Sequence, residues 1–188
     1  MTIIICPGIH EPGLTENFIS QCLLSASDGV NSDNQGKILI FPGHGLLALS
    51  SLHILQFLSH HLRYDLKSPV VFISFSAGVL GAGGAACSWE LLGGKIKAFI
   101  AIDGWGVPLW GNFPTYRMSH DYFTHWSSLL LGSGERNFYA EPAVEHLSMW
   151  RSPESVQGWW IDTSGEHSHP PVRLTAREFL HRVLKPCQ

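Results

Sequence analysis

The sequence predicts one α/β domain, a mainly parallel sheet of about five or six strands flanked by helices. In the first half of the chain, short apolar runs alternate with segments whose apolar residues recur at helical spacing. The runs are apolar on both faces, which is typical of parallel strands covered by helices. The length of 188 residues fits one domain of ordinary size, so we treat residues 1–188 as a single unit.

The strands are predicted where apolar runs end at turn residues, and the helices where leucines or small residues share one face. The first strand is Thr2-Ile-Ile-Ile-Cys6, because Pro-Gly stops the apolar run directly after it. The same alternation predicts strands over 2–6, 37–41, 70–73 and 96–102, with helices over 14–25, 51–62 and 77–92.

The alternation is interrupted after residue 103. Residues 104–140 are rich in Gly, Pro and aromatic side chains and have no clean period, which predicts an insert. The pattern then resumes with a helix predicted over 141–150, a strand ending at residue 162, and a last helix over 172–184 that follows Pro170-Pro171.

Composition excludes several classes of function. The net charge is −3 and no run of like charge occurs, so nucleic acid is not an expected partner. The four cysteines are widely spaced without a CxxC pair, which is typical of reduced thiols in a cytoplasmic protein. The start of the chain lacks the positive region of a signal peptide. The uncharged run 70–87 contains too many glycines for a transmembrane segment, and nothing indicates an oligomeric state.

A pair of serines marks the end of the third predicted strand, in Ser74-Phe-Ser76-Ala-Gly78. Ligands of an open parallel sheet bind at the carboxyl ends of its strands. Small residues two before and two after Ser76 allow a sharp turn into the next helix, which exposes the hydroxyl above the sheet. The N–H groups that begin this helix, with that of Ala77 nearest, face any negative charge forming there.

With Ser74 in place of the first glycine, this segment resembles the nucleophile elbow of the α/β-hydrolase family, in a small version that lacks the first strands of larger members. The order of elements is similar over most of the chain. The resemblance implies a lipase- or esterase-like serine hydrolase. Pro7-Gly8-Ile9-His10 falls where such hydrolases place the second oxyanion-hole donor, which implies the Ile9 N–H, with His10 as the near alternative.

A serine nucleophile requires a histidine base within hydrogen-bond reach. In this family the base follows the last strand, which implies His167, with His169 as the second option. The His-x-His pair could also suggest a metal, but no third ligand stands at a matching spacing, so no metal is predicted.

The acid that orients the histidine has two candidates. Asp103 ends the fourth predicted strand, a position that resembles the acid site of one minority branch of lipases. Asp121 would be the acid if residues 114–121 formed one further strand. The connection from Asp103 to residue 114 is short for this, because a parallel crossover usually needs about a dozen residues or more. We prefer Asp103, which could instead simply cap its turn.

The aromatic insert carries the expectation about substrate. Trp105 and Trp110 belong to a stretch that would lie over the carboxyl ends of the strands, where aromatic side chains favour an apolar ligand, although they could simply complete the core. In related hydrolases such a segment forms a cap or lid, so the resemblance implies this form for residues 104–140. It also implies a small-molecule ester or thioester with an apolar acyl portion, and no cofactor. The alternatives are acyl transfer and a catalytically inactive protein that binds a lipid or a protein partner.

Overall fold

A computed structural model of the chain describes residues 1–24, 37–43, 45–132, 134–162 and 170–187. It is a mixed α/β structure with an eight-stranded sheet flanked by helices. The strands are β1 (Thr2–Cys6), β2 (Lys37–Ile40), β3 (Val70–Phe75), β4 (Ile96–Ile102), β5 (Thr115–Ser119), β6 (Arg136–Ala140), β7 (Gln157–Asp162) and β8 (Val172–Thr175). The helices are α1 (Pro12–Ile19), α2 (Ser51–His61), α3 (Gly78–Leu91), α4 (Tyr122–Leu129), α5 (Ser148–Arg151) and α6 (Ala176–Leu184).

The sheet has the strand order β2-β1-β3-β4-β5-β6-β7-β8. The first six strands in this order, which include β1, pair in parallel. β7 is antiparallel to β6, and β8 is antiparallel to β7. The sheet is therefore larger than predicted, but its main part is parallel. The loops after β1, β3, β4, β5 and β6 consequently meet along one edge of the sheet.

Each face of the sheet carries its own apolar core. Ile5 and Ile73 point to the face covered by α1, α5 and α6, and Ile4 and Phe72 point to the face covered by α2 and α3. β3 is buried along its whole length, as its unbroken apolar pattern predicts. In the part of the chain that the structure describes, no helix is long and apolar enough to span a membrane.

The stretch 104–140, predicted as an insert, contributes to the sheet itself. It contains β5 and β6, which pair with β4 and with each other, and α4 between them. The apolar pattern misses these strands because each carries a buried polar side chain, Arg117 in β5 and Asn137 in β6. The part before β5, residues 104–114, contains no helix or strand.

The predicted helices near the end of the chain are shorter in the structure. Of the stretch 141–150, only the final residues are helical, in α5. The helix predicted from residue 172 begins at Ala176, because β8 precedes it. Thr175 accepts a hydrogen bond from the Glu178 N–H and Glu178 accepts one from the Thr175 N–H, a reciprocal cap that fixes the start of α6.

Arg117 connects β5 to the irregular stretch. Its side chain is 2% exposed, and its guanidinium donates hydrogen bonds to the backbone oxygens of Val107 (3.0 Å), Leu131 (3.2 Å) and Gly132 (2.7 Å). Burial lowers the pKa of Arg117 to about 10, so the group stays charged at neutral pH. One buried cation therefore holds the backbone at Val107 and at Leu131 and Gly132 against β5.

Candidate active site

Ser76 forms the turn between β3 and α3. Its φ angle is +53°, in the left-handed region that costs a non-glycine residue about 1–2 kcal/mol. The Ser76 N–H donates to the Ile102 oxygen at 2.8 Å, which ties the strained turn to β4. A β-carbon on Gly78 would overlap the backbone oxygens of Cys6 and Pro7, so the loop after β1 approaches this turn closely. Strain at such a position is typical of functional sites.

His146 lies between β6 and α5 and contacts the serine. Its Nε2 is 2.9 Å from Ser76 Oγ, and its Nδ1 is 2.7 Å from Asp103 Oδ2. The imidazole stacks on Phe75 with ring centroids 4.8 Å apart, and Phe75 in turn stacks on Trp150. Packing on one side and a carboxylate at Nδ1 therefore fix the orientation of the ring.

Asp103 stands directly after β4, with a φ angle of +54°. Its side chain is nearly fully buried, and its Oδ1 accepts a hydrogen bond from the His120 N–H at 2.8 Å. Burial alone would raise the pKa of Asp103, but the hydrogen bonds from His120 and His146 outweigh burial and lower it. The group is therefore a carboxylate at neutral pH.

A second histidine contacts the same carboxylate. His120 Nδ1 lies 2.9 Å from Asp103 Oδ2, although the ring nitrogen does not point straight at the oxygen, and its Nε2 lies 3.5 Å from Asp121 Oδ2. The ring is also 6.0 Å from that of His146. The Asp103 carboxylate, with a smaller contribution from Asp121, raises the pKa of His120 although burial opposes this.

The raised pKa of His120 predicts a pH-dependent contribution to stability. A folded-state pKa above the unfolded value stabilises the fold fully below the unfolded pKa, and this contribution is lost as pH rises through the folded pKa. We expect wild type to exceed His120→Gln in free energy of unfolding by more at about pH 5.5 than at about pH 8.5. Urea denaturation at both pH values measures this, with the exposed-site variant His60→Gln as reference. A difference that is equal at both pH values would contradict the assignment.

Asp103, His120 and His146 also form a group whose potential metal-binding atoms lie within 4.8 Å of one another. The shortest separations are 2.7 Å and 2.9 Å. Two ligands on a tetrahedral zinc ion are about 3.3 Å apart, given bonds of about 2.0–2.1 Å. The observed spacing is therefore that of groups held together by hydrogen bonds and charge.

Ser76 faces an open cleft of about 530 Å³, which we call the Ser76 cleft. Its mouth carries the exposed aromatic side chains of Trp105 and Phe123. The lining residues are Leu49, Ser76, Ala77, Leu80, Asp103, Trp105, Val107, His120, Asp121, Phe123, Thr124 and His146. Trp110, the other aromatic residue predicted to bind substrate, lies against a smaller crevice beside α3.

The predicted oxyanion-hole residues lie beside Ser76. Ala77 precedes the first turn of α3 and lines the Ser76 cleft. Ile9 follows Gly8, at which a β-carbon would come within 2.8 Å of the Ser76 β-carbon. Within the described residues, neither the Ala77 nor the Ile9 N–H donates a hydrogen bond. The N–H of His10, the alternative donor, likewise donates no hydrogen bond among the described residues.

The structure connects Ser76 to Asp103 through His146, a histidine that the sequence pattern does not single out. His167 and His169 lie outside the described residues. Asp121 caps α4 by accepting from the Thr124 N–H and does not contact His146. His146 could have been identified from the order of strands in the sheet, because it follows the carboxyl end of β6, the last parallel strand.

Comparisons with known proteins show distant likeness to solved structures. No family model matches the sequence, and no curated protein matches it. A solved structure described as an extracellular α/β-hydrolase from a Paenibacillus species, with structural and functional homology to tobacco salicylic acid binding protein 2, is 12% identical, with a TM-score of 0.37. The match covers 55% of this chain and 40% of that one, so this chain matches less than half of that protein.

Proposed function

We propose that the protein is a serine hydrolase of the α/β-hydrolase type that cleaves a carboxylic ester or thioester with an apolar acyl portion. The observation that carries the proposal is the continuous contact from Ser76 Oγ through both ring nitrogens of His146 to Asp103, with separations of 2.9 and 2.7 Å. Serine, histidine and carboxylate in this order supply a nucleophile, a base and an orienting charge.

In the proposed reaction, Ser76 Oγ attacks the acyl carbon while His146 Nε2 accepts the hydroxyl proton. Asp103 accepts a hydrogen bond from the His146 Nδ1–H and stabilises the imidazolium that forms. His146 then returns the proton to the departing alcohol or thiol, which leaves an acyl group on Ser76. A water molecule, deprotonated by the same nitrogen, releases the acid. In this proposal His146 takes the role that the sequence analysis gives to His167 or His169.

The negative charge on the attacked oxygen needs donors on the other side of the acyl carbon. We assign them to the N–H groups of Ala77 and Ile9, which lie beside Ser76 and donate to no other described residue. The dipole of the 14-residue helix α3 adds to the same field.

The lining of the Ser76 cleft supports an apolar substrate, because Leu49, Trp105 and Phe123 contribute hydrocarbon surface next to the serine. The reaction needs no cofactor. The cysteines of the chain, Cys6, Cys22, Cys87 and Cys187, are free thiols, which supports a cytoplasmic location as part of the proposal.

The competing function is binding without catalysis. It would be favoured by a serine sealed from solvent or by a carboxylate distant from any histidine. The open cleft beside Ser76 and the short contacts of His146 favour catalysis instead. Acyl transfer remains compatible with the same acyl-enzyme, since only the acceptor differs.

The proposal is tested with a fluorophosphonate probe and intact-mass analysis. We expect wild type to gain one phosphonyl group and Ser76→Ala to gain none, because only an activated serine reacts at a useful rate. Ser74→Ala is the matched control: Ser74 Oγ is buried and donates to the Ile100 oxygen, so this variant should still be labelled. A folded wild type that takes up no probe would refute the proposed nucleophile.

A further inference from the structure

We propose that a narrow cavity beside α3, here called the α3 crevice, holds the alkyl chain of the acyl group that Ser76 receives. This inference rests on the proposed function. It adds that the α3 crevice selects the alkyl chain of the substrate. The crevice has a volume of about 150 Å³. Its lining residues are Ser51, Leu80, Gly83, Gly84, Cys87, Phe99, Val107, Pro108, Leu109, Trp110 and Phe113.

The α3 crevice adjoins the Ser76 cleft. Leu80 and Val107 line both spaces. Leu80, Gly83 and Cys87 follow Ser76 by four, seven and eleven positions, so they share one face of the helix. At a rise of about 1.5 Å per residue, Gly83 lies about 8 Å and Cys87 about 14 Å along the helix axis from Gly78, where α3 begins just after Ser76. An alkyl chain bound at the serine could therefore extend along this face.

The lining of the α3 crevice suits hydrocarbon. None of its residues carries a full charge, and Phe99, Leu109 and Phe113 provide apolar walls. Cys87 Sγ is occupied by a hydrogen bond to the Trp110 oxygen at 3.0 Å. Burial and the nearby Glu90 raise the pKa of the Cys87 thiol, so it stays neutral. Sites for whole ligands usually measure about 300–1,000 Å³, so this space fits only part of one.

The glycines of α3 give a second reason to regard the crevice as a binding space. A β-carbon at Gly81 would overlap the Ala48 oxygen, and one at Gly84 would overlap Ser51 Oγ, so packing requires both glycines. At Gly83 a β-carbon would meet only Leu109 Cδ2, at an ordinary 3.6 Å. Glycine is less favourable than alanine inside a helix. Gly83 therefore lowers the stability of α3, although no neighbouring atom requires a glycine there. Its lack of a side chain leaves space in the α3 crevice.

The experiment compares hydrolysis of p-nitrophenyl acetate and p-nitrophenyl hexanoate by wild type, Gly83→Ala and Gly83→Leu. We expect Gly83→Leu to lower the ratio of kcat/KM for hexanoate over acetate by about tenfold or more, because its side chain fills the space. Gly83→Ala should lower the ratio less and raise Tm by about 2–4 °C. Gly13→Ala in α1, where a β-carbon meets nothing, is the matched control for helix stabilisation without a change in that ratio.

A binding arm separates this inference from the proposed function. In Ser76→Ala, p-nitrophenyl hexanoate should slow alkylation of Cys87 by N-ethylmaleimide, located by peptide mass, whereas the acetate ester should not. Failure of the hydrolase proposal would leave this protection intact. An unchanged hexanoate-to-acetate ratio in folded Gly83→Leu, or no protection of Cys87, would overturn the assignment of the α3 crevice.

Discussion

Replacing His146 by alanine is expected to lower kcat/KM for an apolar p-nitrophenyl ester by about 10⁴-fold or more. Without the imidazole, the Ser76 hydroxyl has no base at 2.9 Å and stays protonated at neutral pH. The imidazole also packs on Phe75. The fall should therefore be checked on protein whose Tm shows that it is folded, and kcat should account for most of it.

Two further variants, His167→Ala and His169→Ala, decide between the histidines. If His146 is the base, the loss of turnover and of fluorophosphonate labelling should be greatest in His146→Ala. If instead His167→Ala loses the label while His146→Ala keeps it, the sequence-based assignment is right and the contact between His146 and Ser76 has no catalytic role.

Replacing Asp103 by asparagine is expected to lower kcat by about 10⁴-fold while KM changes little. The asparagine amide is uncharged, so it stabilises the imidazolium of His146 poorly and can hold the wrong tautomer. The substitution also removes the charge beside His120, 2.9 Å away. Because asparagine tolerates the left-handed backbone at least as well as aspartate, the φ angle of +54° should be preserved.

Asp121→Asn is the matched control for the acid. Asp121 accepts from the Thr124 N–H at the start of α4, and an asparagine oxygen can do the same. We expect kcat to fall by less than about tenfold. Should Asp121→Asn lose as much turnover as Asp103→Asn, the choice of Asp103 as the orienting carboxylate would be wrong.

The features that the sequence predicts well are those coded by local pattern. β1, β3 and β4 are mainly apolar runs followed by turn residues, and the structure places them within two residues of the predicted bounds. Ser76 could be singled out because small residues on both sides of a serine, at a strand-to-helix junction, are needed for a sharp turn. Asp103 could be named because it ends one of these strands.

The features that the sequence does not reveal depend on contacts between distant segments. β5 contains Arg117, whose burial depends on backbone oxygens 10 to 15 positions away that accept its hydrogen bonds. The strand pattern itself does not show these acceptors. His146 lies in a segment without regular structure, and its partners are 43 and 70 positions away. The chain has 11 histidines, and no local pattern distinguishes this one.

The Arg117 guanidinium has a consequence for selectivity. Moving the backbone at Val107 or at Leu131 and Gly132 away from β5 would break hydrogen bonds from Arg117 and leave a buried cation with fewer acceptors, at a cost of several kcal/mol. The wall that faces α3 at Val107 is thus held at a constant distance during turnover. Under the proposed function, the fixed width of the α3 crevice would select among acyl chains. A mobile loop that closes over the bound substrate would not be needed.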